Sequence, residues 1–330
     1  MKAFKHLNAG SVEEAVSLLK EYEGRAVLVA GGTDLLGILK SEVLPRYPDV
    51  VINIKTIPGI HGIKENQDGL SIGALARLGR ISMSHIVRER YAMLAEASHS
   101  VATPEIRNMA TIGGNLCQDT RCWYYRYPHR IGGRILCKRK GEGPCYAIRG
   151  DNRNHAVTGG KGCFAVCPSD TATALTALNA VVRIAGPGRE RTVPVEEFYH
   201  SMGNVLGPDE VATEIHVPLP LAGTYQVFHK FRVRDSVDFA IASVAVRIFV
   251  SEGICEDASI VLGAVAPTPF RAREAEDTLK GKKLDSKEAE AAGEASVVNM
   301  KPLGRNGYKI DIIRTLVRRA VLSLICLKEG

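Results

Sequence analysis

Apolar positions recur along the chain with two periods, and the changes from one to the other mark out its elements. Val12, Ala15, Leu18 and Leu19 fall on one face of a helix that opens with Ser11 and Glu14 in capping-box spacing and runs to about Tyr22. The short apolar run AVLVA at 26–30 reads as a buried strand leading straight into Gly31-Gly32-Thr33-Asp34-Leu35. VVINI at 50–54 reads as another, and Pro58-Gly59 marks a turn. A strand is predicted at 70–74, helices at 81–89 and 93–98, an apolar helix at 172–178 after Ser169-Asp170, and a strand at 181–184. Pro218, Pro220 and Gly223 suggest a linker. Beyond it, strands are predicted at 226–233, 243–250 and 259–265, a charged helical stretch at 272–295 and a final helix at 310–327. No fixed-period repeat is present, which excludes solenoids and propellers.

With 330 residues the chain can form two or three compact units. No run approaches 18 apolar residues; IASVAV and AVLSLICL end at Arg247 and at Arg319 and Lys328. The first residues have an acidic helix start and no apolar leader core, so a cytoplasmic protein without a membrane span is expected. In that compartment thiols stay reduced, and clustered cysteines read as ligands rather than disulfides.

Charge and cysteine change the picture in one place. Six of the 8 cysteines lie at 117–167. Within 121–163 there are ten basic residues (Arg121, Arg126, Arg130, Arg134, Lys138, Arg139, Lys140, Arg149, Arg153, Lys161) against Glu142 and Asp151. The whole chain is +7, so the rest is almost neutral. A thiol-rich basic segment set into a neutral protein points to a metal or cluster site with an acidic partner; a solvated surface loop would have the same composition. No helix-turn-helix, zinc-finger or RNA-binding signature supports nucleic-acid binding.

Two glycine loops carry the other candidate chemistry, Gly31-Gly32-Thr33-Asp34-Leu35 and Thr111-Ile112-Gly113-Gly114-Asn115. Paired glycines let main-chain N–H groups turn inward, and successive inward N–H groups form an anion nest suited to a pyrophosphate. Two ordinary tight turns would look the same. Neither loop has Rossmann or P-loop spacing.

These loops recur in order with Ile106-Arg107-Asn108, Ser169-Asp170, Phe228-His229-Lys230-Phe231, Asp238-Phe239-Ala240 and Arg318-Arg319-Ala320. Together they resemble the FAD-binding subunit of molybdenum hydroxylases, the xanthine dehydrogenase and carbon monoxide dehydrogenase family, over nearly the whole chain. The resemblance implies an α+β architecture: a two-subdomain FAD-binding fold of the vanillyl-alcohol-oxidase (PCMH) type, then a smaller α/β C-terminal domain. The expected divisions are 1–57, 58–222 with an insert at 116–168, and 223–330. It also implies that Val29, Ala30, Gly31, Gly32, Thr33, Asp34 and Leu35, with Thr111, Gly113, Gly114 and Asn115, hold the FAD pyrophosphate. Asp170 would bond the ribityl chain or ribose beside Ser169, and Lys230 would lie near the isoalloxazine.

The insert separates TIGGN from the Ser-Asp pair and carries the six cysteines. Asn115-Leu116-Cys117-Gln118-Asp119-Thr120-Arg121-Cys122 followed by Tyr124-Tyr125 resembles the β subunit of 4-hydroxybenzoyl-CoA reductase, which has a [4Fe-4S] cluster beside its FAD. The ligand set this implies is Cys122, Cys137, Cys145 and Cys163, with Cys167 the alternative fourth ligand. Cys117 reads as a flavin-side or packing thiol, and Cys255 and Cys326 as buried small hydrophobes. Four thiolates suit iron–sulfur chemistry; zinc is the alternative, although structural zinc sites favour close cysteine pairs that are absent here. Trp123, Tyr124, Tyr125 and Tyr127 are expected to pack the insert onto the body. The implied partners are a molybdopterin-containing large subunit, a [2Fe-2S] small subunit and an acidic low-potential ferredoxin as donor. The implied role is electron entry for reductive dehydroxylation. The alternative is a FAD subunit passing electrons from a molybdenum hydroxylase to NAD or a quinone.

Overall fold

The computed structural model describes residues 1–129, 131–133 and 135–329, the last three through their backbone only. Arg130 and Arg134 of the basic segment lie outside the described residues.

Ser11 caps the helix Val12–Glu21 by accepting from the Glu14 N–H at 3.1 Å. The reciprocal bond lands one residue early, with Gly10 N–H donating to Glu14 Oε2 at 2.7 Å. The buried face is Ala15, Val16 and Leu19, with Val12 and Leu18 packed at its edge, so the predicted stripe faces the core and gains Val16. It packs into a cluster with Val50 and Ile52 of a parallel sheet, in which Val50–Asn53 lies between Lys5–Asn8 and Ala26–Val29. Buried throughout, the central strand carries Val50, Val51 and Ile52 as an apolar run closed by the buried Asn53.

The second sheet is antiparallel, in the order Ile63–Asn66, Gly69–Gly73, Val211–Pro218, Val181–Gly186, Arg189–Pro194. No element is predicted from the sequence for its middle strand, and Pro218, expected in a linker, ends that strand. The single helix predicted at 81–89 is two, Leu78–Met83 and His85–Arg90, because Ser84 between them is extended. Helix Asp170–Ala177, capped by the Ser169 hydroxyl, is buried along its whole length. It packs between the second sheet's core and the third sheet.

That third sheet runs Thr224–Phe231, Ala242–Ser251, Ile254–Gly263, Phe270–Arg271, with Lys282–Lys283 paired beside its third strand. Helices Arg273–Leu279, Ser286–Ala295 and Lys309–Glu329 share its apolar cluster. The first two replace the single helical stretch expected at 272–295, which Gly281 breaks with φ +73°. Cys255 is buried as expected, but Cys326 is exposed. Val321 and Leu324 take the inward face of the last helix and leave Cys326 on the outer one. The mixed two-part architecture with a C-terminal α/β unit is the one expected from the resemblance.

The insert has little regular structure: helix Trp123–Arg126 and two 3-10 turns, Lys138–Lys140 and Tyr146–Ile148. Bonds at its two ends fix it instead. Near its start, Asp119 N–H and Arg126 Nη2 both donate to the Asp34 carboxylate, at 2.9 and 2.8 Å. Near its end, Asn306 Nδ2 donates to the carbonyls of His155 and Ala156, both at 3.1 Å, and Val157 N–H donates to Val265 O at 2.8 Å. Tyr125 packs with Ile38, Val43 and Cys137, fastening the insert to the first unit as the aromatic run predicts.

Candidate functional site

Two cavities lie at the insert. The larger, 530 Å³, is of the size that holds a cofactor. Ala30, Gly31, Gly32, Thr33, Asp34 and Leu35 line it from the first glycine loop, and Thr111, Gly113 and Gly114 from the second. Val29, Asn115, Ser169, Asp170 and Lys230 are not among its lining residues.

The loops differ in what their amides do. In the second, Ile112 N–H donates to Ala76 O, Gly113 N–H to Ala74 O and Gly114 N–H to Thr111 Oγ1, at 2.9, 2.9 and 3.1 Å. Asn115 N–H donates to Thr111 O at 2.8 Å. Those donors are spent inside the protein. Among the described residues, no protein acceptor meets the N–H groups of Gly31, Gly32, Thr33 or Asp34. The anion nest read from both loops therefore has its open donors in the first.

The glycines divide within each pair and not between the loops. A Cβ on Gly31 would meet Met109 O at 2.1 Å, and one on Gly113 would meet Ala74 Cβ at 2.8 Å. These two permit close packing of the protein on itself, which composition cannot distinguish from close approach to a ligand.

Behind the cleft, Asn115 Oδ1 accepts from Ser169 Oγ at 2.6 Å and from Thr171 Oγ1 at 2.7 Å, locking the second loop to the capped helix. Lys230 Nζ donates to Asp170 Oδ2 at 2.6 Å and to Ser100 O at 3.0 Å, both side chains of the pair being buried. Burial pushes the Asp170 carboxyl up, and the Lys230 ammonium works against that.

The smaller cavity is lined by Cys122, Cys137, Cys145 and Cys163, with Tyr124, Tyr125, Tyr146, Lys138 and Arg139. Cys167 and Cys117 line the larger cleft instead, where burial pushes both thiols up to about 12. Burial, reinforced by the neighbouring Cys163 and Cys145, also pushes the Cys122 thiol up, to about 11. Among the described residues, no group of three or more His, Cys, Asp or Glu is placed to hold a metal ion.

Sequence reasoning missed the residues around those sulfurs. His155 Nε2 lies 3.2 Å from Cys122 Sγ, its Nδ1 is buried without a partner, and burial pushes the ring down to about 4. Nothing local in Asn154-His155-Ala156 signals this contact, which spans 33 positions. Asp119 accepts from Tyr125 and Arg139, and Arg121 and Arg126 pair with Asp34. Much of the insert's positive charge is thus turned inward, whereas Lys138, Arg149, Arg153 and Lys161 are exposed.

Comparison with known proteins is consistent across the chain. Residues 2–220 match the family model of the FAD binding domain in molybdopterin dehydrogenase. Residues 226–324 match that of the CO dehydrogenase flavoprotein C-terminal domain. The aldehyde oxidoreductase FAD-binding subunit PaoB of Escherichia coli K12 is 33% identical over 98% of each chain. The carbon monoxide dehydrogenase medium chain of Hydrogenophaga pseudoflava is 29% identical over 96% of each. A solved structure of that dehydrogenase, lacking the Mo-pyranopterin moiety, superposes with TM-score 0.79, 29% identity and 98% coverage of both chains. No helix among the described residues is long and apolar enough to cross a membrane.

Proposed function

Because the chain belongs to the family of FAD-binding subunits of molybdenum hydroxylases and CO dehydrogenases, we propose that it is an electron-transfer subunit carrying a [4Fe-4S] cluster as well as FAD. Its place is between a low-potential donor, an acidic ferredoxin, and partner chains with [2Fe-2S] and molybdenum centres in a hetero-oligomer. The reaction served is reductive dehydroxylation of the 4-hydroxybenzoyl-CoA reductase type, which the insert resembles. The observation that carries the reading is the lining of one cavity by Cys122, Cys137, Cys145 and Cys163 beside the cleft. Four thiols facing one cavity give the all-thiolate ligand set that iron–sulfur chemistry uses. Cys167, in the other cavity, is then not a ligand.

FAD exchanges electrons in pairs or singly, and a [4Fe-4S] cluster exchanges them one at a time. The protein's part is to hold and tune. The open N–H groups at 31–34 receive the FAD pyrophosphate, with Val29, Ala30 and Leu35 shaping that loop. Thr111, Gly113 and Gly114 make the floor, and Asn115 behind it is anchored by Ser169. Lys230, held by Asp170, sets a buried cation behind the cleft, where it favours negative charge on a ligand. A thiol raised to about 11, as Cys122 is, must release its proton when it ligates iron.

A second reading reverses the flow, so that a partner oxidises its substrate and this chain delivers electrons to NAD or a quinone. It is favoured by the names of the relatives, which are an aldehyde oxidoreductase and dehydrogenases. Mixing the oxidised chain anaerobically with reduced ferredoxin, NADH or a quinol separates the two. The first reading expects ferredoxin to bleach the flavin fastest, and salt to slow that reaction. Rapid bleaching by NADH or quinol with none by ferredoxin would establish the second.

A further inference from the structure

Arg139 is the one described residue that lines both the cleft and the four-cysteine cavity. Its guanidinium is held from several sides. Nη1 donates to Met202 O at 2.9 Å and to Asp119 Oδ1 at 3.2 Å, and Nη2 donates to Ser201 O at 3.3 Å. Its central carbon lies 5.7 Å from the centre of the Tyr125 ring. It shares the wall of the smaller cavity with the Cys163 thiol. Nε, in contrast, is buried with no acceptor. An unpaired buried donor is costly, so an acceptor for it is expected. Both Nη atoms of the same guanidinium donate to protein acceptors, so the empty place at Nε is local to the wall between the cavities.

We propose that Arg139 is the shared electrostatic control of the two redox sites, a fixed positive charge in their common wall whose Nε–H is kept for an acceptor that arrives with a cofactor. The inference rests on the flavin and cluster reading above. Reduction adds negative charge, and a nearby cation stabilises it, so Arg139 raises the reduction potential of the group on each side. When one electron leaves one group and arrives at the other, the guanidinium keeps its charge and position. It sets the balance between the sites and is not itself reduced.

The test compares the full wild-type chain with Arg139→Gln and Arg139→Lys, purified anaerobically. Iron, acid-labile sulfide and flavin are counted first. Each protein is then titrated electrochemically, the flavin followed by visible absorbance and the cluster by EPR. Arg139→Gln should keep both cofactors and lower both midpoints, changing the oxidised-to-reduced ratio at a fixed potential about tenfold, which is about 59 mV for one electron. Arg139→Lys, which keeps the charge and loses the fork, should recover most of the flavin shift. A wild type without iron would overturn the cluster reading and this inference with it. Loaded variants whose cluster midpoint moves while the flavin midpoint stays would overturn the shared role alone. Failure of both variants to load would make Arg139 a structural strut and overturn it too.

Discussion

The Asp34 carboxylate meets the Arg126 guanidinium at 2.8 Å across 92 positions of sequence. Asp34 also accepts from the Asp119 N–H at 2.9 Å and pairs with Arg121 at 3.0 Å. A residue of the first glycine loop thus holds the insert in place. Asp34→Ala should leave two partly buried arginines and an amide without their acceptor and lower stability by about 2–3 kcal/mol. It should also make the insert the first site of cleavage in limited proteolysis. Unchanged denaturation midpoints and an uncut insert would contradict this role.

The sequence carries local features well and directional ones poorly. Ser11, Ser169 and the glycine turn after 26–30 announce themselves within a few residues, because caps and turns are satisfied nearby. Central strand Val211–Pro218 was also legible, since Val211, Thr213, Ile215 and Val217 alternate, but Pro218 and Pro220 drew the reading toward a linker. The four cysteines lining the small cavity are the set that the resemblance implies. A count of ten basic residues cannot tell which arginines turn inward, and the contacts of Arg139 and His155 join segments far apart in the chain.

Lys309 is fully buried, donating to Ala264 O at 2.7 Å and to His155 O at 3.3 Å, and burial pushes its ammonium down to about 7. An unfolded lysine titrates near 10.4. Below about 7 both states hold the proton, and the penalty for burying the charge is constant. Between about 7 and about 10.4 the unfolded chain holds a proton that the folded one has lost, so stability rises with pH. The gain is about 1.4 kcal/mol per unit of pKa difference. Lys309→Met should lack that rise. Parallel melting-temperature profiles over this window for wild type and variant would show that Lys309 stays charged.

The buried Asp170–Lys230 pair should show strong coupling. Lys230→Met strands a carboxylate in the core and should cost about 3–5 kcal/mol. Adding Asp170→Asn should recover a large part of it. Urea denaturation of the two single variants and the double variant gives the coupling energy; additive losses would mean the pair does not act as a unit.

Cys137 and Cys167 lie in different cavities and should behave differently. Cys137→Ser should lose most of the iron and keep its flavin, whereas Cys167→Ser should keep its iron. Iron analysis beside flavin absorbance reads both. Iron lost from Cys167→Ser and retained in Cys137→Ser would exchange their roles.

Composition decides whether one chain carries FAD and a cubane cluster at adjoining cavities. The protein is purified anaerobically, and flavin, iron, acid-labile sulfide and zinc are counted per chain. One FAD with about four iron and four sulfide, and no zinc, is expected. One FAD with a single zinc, or with no metal at all, would contradict it.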